Sequence, residues 1–513
     1  MDPTIRGTGT TATERSLAKL AEKTFLDLWS YPNTYNDRDL SNGQGKELCD
    51  LLVLCGNDLL IFSDKNIRWP SGNIDLAWRR WYRRAIQHSV DQIKGAERWL
   101  RHHPDRVFID PACRSRLPIP LPNPEDLRVH GIAVVSGARE ACRSYMNDRD
   151  GGLMLTGHLR GDEHLDPTTI GLHPFMVGDA NPDGAFVHVM DMDALTVVMR
   201  ELDTISDFVA YLRERADAIR DRRVSMAASE ADLLAAYLMS GALEGRPFIP
   251  DIVDLARPLE LGIFPPGHYE ALRKSAEWRA RREFNRGSYD WDRLISSFSK
   301  NLLDGTSVAI AGMQPELHLA EQALRKMALE RRIVRRSLSR AFMDAYFKAE
   351  KVNQDRFERL VMPPEGGADP ECLYLFLVLA FRGDWLVKHG YDYYREARGG
   401  MLKAYCQVAL MQHRGAKRIV GIALDASSRQ TGRVGRSEDI MLLEVTDWTN
   451  DLIVETRELQ EKAEILLPSR LQPAFLRQKS MAEMDQSGIY SGNRSHRRAA
   501  RAKARQKRRS PLT

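Results

Sequence analysis

No stretch of this sequence stays apolar for long, and its cysteines are few and scattered. The longest apolar run, Cys372 to Phe381, covers ten residues, about half of what a bilayer-spanning helix needs, which excludes a helical membrane span. Met1 to Thr13 has no apolar core of the kind a secretory leader carries, so the chain reads as one without such a signal. Six Cys in 513 residues, with no CxxC, exclude a disulfide scaffold and disfavour a structural zinc site. The expected setting is reducing and cytoplasmic. Also missing are the phosphate loop GxxxxGK(S/T), a GxGxxG after a strand and the GxSxG elbow. Nucleotide hydrolysis, dinucleotide redox chemistry and serine-hydrolase chemistry therefore have no support.

What is present is an ordinary folded composition, 43% hydrophobic and 28% charged, long enough for roughly three domains. Net charge is +5, but nine Lys or Arg lie between Arg494 and Arg509 with no acid among them, so residues 1 to 493 carry −4. The basic character belongs to a tail, and Arg497, Arg498 and Arg501 within it are candidate phosphate contacts. No apolar face exists there to dock a helix, so residues 490–513 read as a disordered basic tail, suited to nucleic acid or simply to solubility.

Hydrophobic spacing predicts a helix over Thr13 to Trp29, a β-hairpin from Leu48–Leu54 and Leu59–Phe62 around Gly56-Asn57-Asp58, and a seven-turn helix over Leu76 to Leu100. That last stripe runs Tyr82, Ile86, Val90, Ile93, Ala96, Leu100. Val107–Ile109 and Gly131–Val135 read as further strands. A second hairpin is expected from Pro174–Val177 and Phe186–Val189 around Asn181-Pro182-Asp183-Gly184. Asp191–Arg220 and Ala228–Met239 read as helical, and Gln314–Phe347 as one long helix opened by Pro315. Cys372–Phe381, Met401–His413, Ile419–Asp425 and Ile440–Val445 give a strand, a helix and two strands. The expected class is mixed α/β. It divides into an N-terminal domain (1–140), a mainly helical middle with a hairpin (150–350), an α/β region (360–470) and the tail (490–513).

The most informative residues are Asp50 on one strand of the first hairpin and Ser63-Asp64-Lys65 at the end of the other. Metal-assisted phosphodiester hydrolysis needs hard oxygen ligands for Mg²⁺ and a cation that orients the attacking water. Asp50 and the 63–65 segment supply both. With the surrounding order of elements, residues 13 to 136 resemble the PD-(D/E)XK nuclease superfamily, which has a restriction-endonuclease-like fold. The resemblance implies an Mg²⁺- or Mn²⁺-dependent nuclease, an endonuclease or exonuclease acting on nucleic acid, with DNA the expected class. It matches Asp50 to the first metal-binding Asp, Ser63 to the second carboxylate position and Lys65 to the catalytic Lys. Cys49 replaces the motif's Pro, and Ser63 is not an acid. Because strand side chains alternate, Asp64 points away from the face shared by Ser63 and Lys65. A bulge can turn Asp64 inward. Alternatively Asp75 before the next helix, or Glu22 on the first one, supplies the missing carboxylate, with Glu47 a weaker choice. The alternative function is non-catalytic nucleic-acid binding, or another interaction role, on a degenerate nuclease fold.

The helix after the hairpin carries Arg79, Arg80, Arg83 and Arg84, spaced so that pairs four apart share a face for phosphates, and Gln92 as a further site candidate. Seven Lys or Arg between Arg325 and Arg340 read as an exposed helical face. His158, Asp162, Glu163, His164, Asp166, His173 and His188 cluster in sequence but fit no metal-ligand spacing. The charge distribution sets a test. Removing Arg494 to Thr513 is expected to flatten the slope of log affinity against log salt for duplex DNA by several units, at about 0.9 for each phosphate that the tail neutralises. Salt titrations of full-length and truncated protein check it, and identical slopes would assign the tail to solubility.

Overall fold

The computed structural model describes residues 3–147, 151–166, 168, 174–241, 243, 262–306, 317–352, 356–379, 383–425 and 438–467. It is a mixed α/β protein with mixed sheets. No helix among the described residues is long and apolar enough to cross a membrane. The basic tail, with Arg497, Arg498 and Arg501, lies outside them, as do Pro315 and His173.

The chain opens with α1 (Ala12–Phe25), β1 (Ser30–Asn36), β2 (Lys46–Cys55), β3 (Asp58–Asn66), α2 (Ile74–Tyr82), α3 (His88–His102) and β4 (Arg128–Ser136). Strands β1, β2 and β3 form an antiparallel meander, and β4 lies parallel to β3 after the helical crossover. The hairpin turns on Gly56-Asn57, with Cys55 paired to Asp58 and Gly56 in the left-handed region, as the turn chemistry predicts. Strand β1 is one of the elements the periodicity misses. Conversely, Phe108 makes only isolated bridges, to Tyr35 and Arg116, so Val107–Ile109 is not a strand of the sheet.

Helices α2 and α3 are joined through a π-helical turn, Arg83–Gln87. All six residues of the predicted stripe are buried, and its steps of four across Tyr82, Ile86 and Val90 match the wider winding of that turn.

Next come α4 (Arg139–Met146), β5 (Met154–Arg160), β6 (Met176–Asp179), β7 (Val187–Asp191), α5 (Met192–Glu201), α6 (Ile205–Arg220), β8 (Met226–Ala227), α7 (Glu230–Met239) and β9 (Ile263–Phe264). The second expected hairpin does not form. Although residues around Asn181 turn, β7 adds parallel to β4 as the fifth strand of the first sheet, whereas β6 joins β5, β8 and β9 in another. Strand β4 offered a free edge, and β7 took it in the direction a parallel sheet allows. The first sheet therefore draws on residues beyond 140.

Helices α8 (His268–Lys274), α9 (Ala276–Asn285), α10 (Tyr289–Leu303), α11 (Leu317–Ala328) and α12 (Arg332–Val352) follow. The last two replace the single helix expected over Gln314–Phe347. The break delivers Arg332 and Arg335 inward, where Asp203 and Asp292 bind them at 2.7–2.9 Å. Arg331 reaches Asp207 at 2.9 Å. This basic stretch is thus largely an internal ion network and not an exposed face. In the C-terminal sheet, β11 (Cys372–Leu379), β12 (Arg418–Asp425) and β13 (Glu438–Glu444) follow the predicted order, with α13 (Gly383–Gln412) crossing between β11 and β12, whereas edge strand β10 (Arg356–Val361) and the closing helix α14 (Asn450–Ala463) are elements the periodicity does not give.

At the turn end of the hairpin, buried Asp58 accepts from His130 at 2.9 Å, Arg128 at 2.8 Å and Arg213 on α6 at 2.5 Å. Burial alone would raise its pKa, but these donors hold it well below the usual carboxylate range. A carboxyl depressed by folding stabilises fully above its unfolded pKa of about 3.8, and that contribution is lost as pH falls through the lower folded value. Asp58→Asn is expected to cost about 2 kcal/mol near neutral pH. The stability difference from wild type should shrink below about pH 4, which denaturant melts across pH measure.

Candidate functional site

Strands β2 and β3 pair from Cys55–Asp58 as far as Leu51–Phe62. Beyond that point the Asp50 carboxylate, not a backbone carbonyl, accepts the Asp64 N–H, at 2.6 Å. The side chain thereby satisfies a donor that the parting strands would otherwise leave bare. Lys65 Nζ lies 3.8 Å from the same Asp50 oxygen, with the Lys side chain partly exposed and the Asp buried. Burial pushes the Asp50 pKa up to about 6; Lys65 and the Asp64 amide pull it down, while Glu47 and Glu14 add to the rise.

Ser63 is fully buried. Its hydroxyl donates toward α3, 2.8 Å from Gln92 Oε1 and 3.1 Å from Ser89 Oγ. Gln92 therefore does approach the motif, through Ser63. Strand β3 keeps unbroken register with β4 from Asp58 to Asn66, so no bulge turns Asp64. The irregularity lies in the β1–β2 pairing, where Thr34 and Tyr35 face Cys49 and Glu47 and leave Leu48 of β2 as the extra residue. Asp64 remains on the opposite face, against the start of α1, where Thr13 hydrogen-bonds it and burial raises its pKa. Its Oδ1 is buried without a hydrogen-bond partner.

The helical carboxylate beside this group is Glu14, which the sequence pattern does not single out. It receives the Thr10 N–H at 2.7 Å, the Thr10 hydroxyl at 2.6 Å and Asn33 Nδ2 at 3.0 Å. Burial opposes ionisation, but those donors bring its pKa down to about 2. Its charge is felt at both Asp50 and Asp64. A signal existed: Thr11-Ala12-Thr13-Glu14 has capping-box spacing, and the Thr11 hydroxyl does accept the Glu14 N–H. Glu22, two turns further along, is turned to Arg6 at 3.4 Å. Asp75 is exposed in the first turn of α2, where its backbone carbonyl is engaged by Arg79. Glu47 is exposed and shares the Asn33 amide at 2.8 Å.

Arg80, Arg83 and Arg84 are exposed and form no ion pair among the described residues. Arg79 is half-buried. Arg79 and Arg83 keep α-helical spacing, the Arg83 N–H bonding the Arg79 carbonyl, and the π turn begins at Arg83. Two residues of the His-rich region have structural partners. His164 Nε2 accepts the Gly178 N–H and its Nδ1 meets the Gly161 carbonyl, while buried His188 packs against Arg215.

Among the described residues, no three His, Cys, Asp or Glu side chains form a group able to hold a metal ion by themselves. Magnesium does not require that, since it keeps several waters and takes one or two carboxylates plus substrate phosphate. The bare buried oxygen of Asp64 fits such an ion, because a buried carboxylate oxygen without a donor is costly. Asp50 and Asp64 are the residues that would hold it. Comparison of the chain with protein-family models, curated proteins and solved structures gives no match.

Folding raises the Asp50 pKa, so the unfolded chain ionises first and this group's contribution to stability falls as pH rises from about 4 to about 6. In EDTA at pH 8, Asp50→Asn is therefore expected to melt no lower than wild type, with the advantage disappearing below pH 4. A lower Tm at pH 8 would mean that the Lys65 pair outweighs burial.

Proposed function

We propose that residues 12–136 form a restriction-endonuclease-like core that hydrolyses phosphodiester bonds in nucleic acid, with DNA the expected substrate and Mg²⁺ or Mn²⁺ the cofactor. The reading rests above all on the Asp50–Lys65 pair at 3.8 Å, set where β2 and β3 part. Supporting it are the order α1, β1, β2, β3, a helical crossover and parallel β4, and the unsatisfied oxygen of Asp64.

Asp50 and Asp64 would hold the cation, and Glu14 adds negative charge beside them. When bound, the cation supplies Lewis-acid activation of water and neutralises phosphate charge. Lys65 pairs with Asp50, and its partial exposure lets the ammonium reach water or a phosphate oxygen while held by that acid. Ser63 fixes the strand to α3 through Gln92 and Ser89, a positioning role. Arg80, Arg83 and Arg84, exposed on the helical crossover, suit phosphate contacts away from the reacting bond.

A second reading, nucleic-acid binding without cleavage, is favoured by the engaged Ser63 hydroxyl at the second carboxylate position and by the absence of a three-ligand group among the described residues. Cleavage of DNA with Mg²⁺ separates the two. Asp50→Ala and Lys65→Ala are expected to abolish cleavage with the melting curve retained, and Asp64→Asn and Glu14→Gln to reduce it at least tenfold, about 1.4 kcal/mol of transition-state stabilisation. Ser63→Ala is expected to be mild. Undiminished cleavage in both Asp50→Ala and Lys65→Ala would remove this site. Binding without cleavage in wild type would favour the second reading.

A further inference from the structure

The three parallel strands of the first sheet end level with one another: Lys65 of β3 pairs with Val135 of β4, and Val135 with Asp191 of β7. Ligands of open parallel sheets collect outside the carboxyl ends of the strands. A cavity of about 210 Å³ lies at that place, walled by Trp81, Val135, Leu153 and Met192, with Arg139 and Asp191 among its polar residues. Two strand spacings, about 10 Å, separate Asp191 from Lys65. The turn after β4 fixes the floor. Gly137 is in the left-handed region at φ 98°, and a Cβ there would collide with the Ile67 carbonyl oxygen, so the backbone folds tightly over the end of β3 before α4 begins.

The Trp81 indole N–H is taken up by the Ile67 and Ser136 carbonyls, at 3.1 and 3.3 Å, which leaves its ring as apolar wall. Asp191 uses Oδ1 to cap α5, accepting the Ala194 N–H at 2.7 Å, while its Oδ2 is loosely held, 3.5 Å from Arg139 Nη2. Arg139 also pairs with Asp193 at the rim. An acceptor and a donor thus stand side by side on a largely apolar cavity. A dry cavity of roughly 150 Å³ takes up benzene, so this one has room for a one- or two-ring heterocycle, but not for a drug-sized ligand. A nucleobase is flat, apolar on both faces and carries donors and acceptors together on its edge. We propose that this cavity receives one unpaired nucleobase of the substrate strand, its edge donating to Asp191 Oδ2 and accepting from Arg139, with the neighbouring phosphate running toward Lys65. The inference rests on the nucleic-acid reading above and narrows it to a substrate with at least one base outside a duplex, because a stacked and paired base cannot enter a pocket.

The test is equilibrium binding of the full-length protein, in EDTA so that nothing is cut, to two single-stranded DNA oligonucleotides of equal length. One has mixed sequence and the other is built from abasic sites. Both present the same phosphates, so the ratio of their affinities isolates the bases. Wild type is expected to favour the base-bearing strand about tenfold, within the range that one base held against protein contributes. Leu153→Phe fills the cavity and should bring the ratio close to one. Asp191→Asn keeps a good cap on α5 but replaces one acceptor oxygen with a donor, and should lower the ratio on the order of threefold, the loss of one hydrogen bond. It carries the reading if Leu153→Phe does not fold, which melting curves of both variants establish.

A ratio of one in wild type, or an undiminished ratio in either folded variant, would overturn the inference and leave the nucleic-acid reading standing. Failure of wild type to bind either oligonucleotide would instead overturn that reading, and this inference with it. Because the metal is removed, the outcome does not depend on whether the site at Asp50 and Lys65 cleaves or only binds.

Discussion

Nine consecutive residues of β3, Asp58 to Asn66, are bonded in register to β4, and that single ladder allows the other edge of β3 to open. A strand freed on both sides would fray. Held on one side, β3 stays extended past Phe62 while β2 follows β1 instead, and the gap between them is where Asp50 takes the Asp64 amide and meets Lys65. The acidic group thus sits where backbone donors on a buried strand need side-chain acceptors. Packing of α1 over the opposite face then brings Glu14 and Thr13 to Asp64.

Elsewhere the chain solves a different electrostatic problem. Arg215, Arg335 and Arg398 are among its largest fully buried side chains. Arg215 is bound by Glu230, Arg335 by Asp292, and Arg398 by Asp425 and Asp439. Breaking one such pair is strongly destabilising, because it strands the remaining charge in a poorly solvating interior. These contacts bind helices to helices and, in the C-terminal unit, a helix to two strands. They contrast with the N-terminal site, where acids outnumber their cationic partners and one carboxylate oxygen has no donor.

The sequence revealed most where side-chain periodicity carries the signal. The β2–β3 hairpin, its Gly56 turn and the buried stripe from Tyr82 to Leu100 were legible because strand alternation, turn chemistry and helical spacing each leave a local signal. Strand β1 was not, since Ser-Tyr-Pro-Asn-Thr-Tyr-Asn has the composition of a loop and owes its extended form to pairing with β2. Glu14 was hidden because nothing in its local spacing separates it from an ordinary acid in the first turn of a helix. The division of Gln314–Phe347 was invisible for another reason. Nothing local requires a break near Leu329; it arises from acids at positions 203, 207 and 292, and long-range pairing of this kind leaves no periodic trace.

The π-helical turn at Arg83–Gln87 has a consequence for how this chain tolerates change in length. A π turn holds about one residue more than an α turn, and each residue of an α-helix advances it by about 100°. Deletion of a single residue there would relax the segment into continuous α-helix and rotate everything after it relative to α2. Ser89 and Gln92 would swing away from Ser63, and the buried series from Val90 to Leu100 would leave the sheet. The surplus residue acts as a spacer that sets the angular phase between two halves of one crossover, so this stretch should accept substitution far more readily than insertion or deletion.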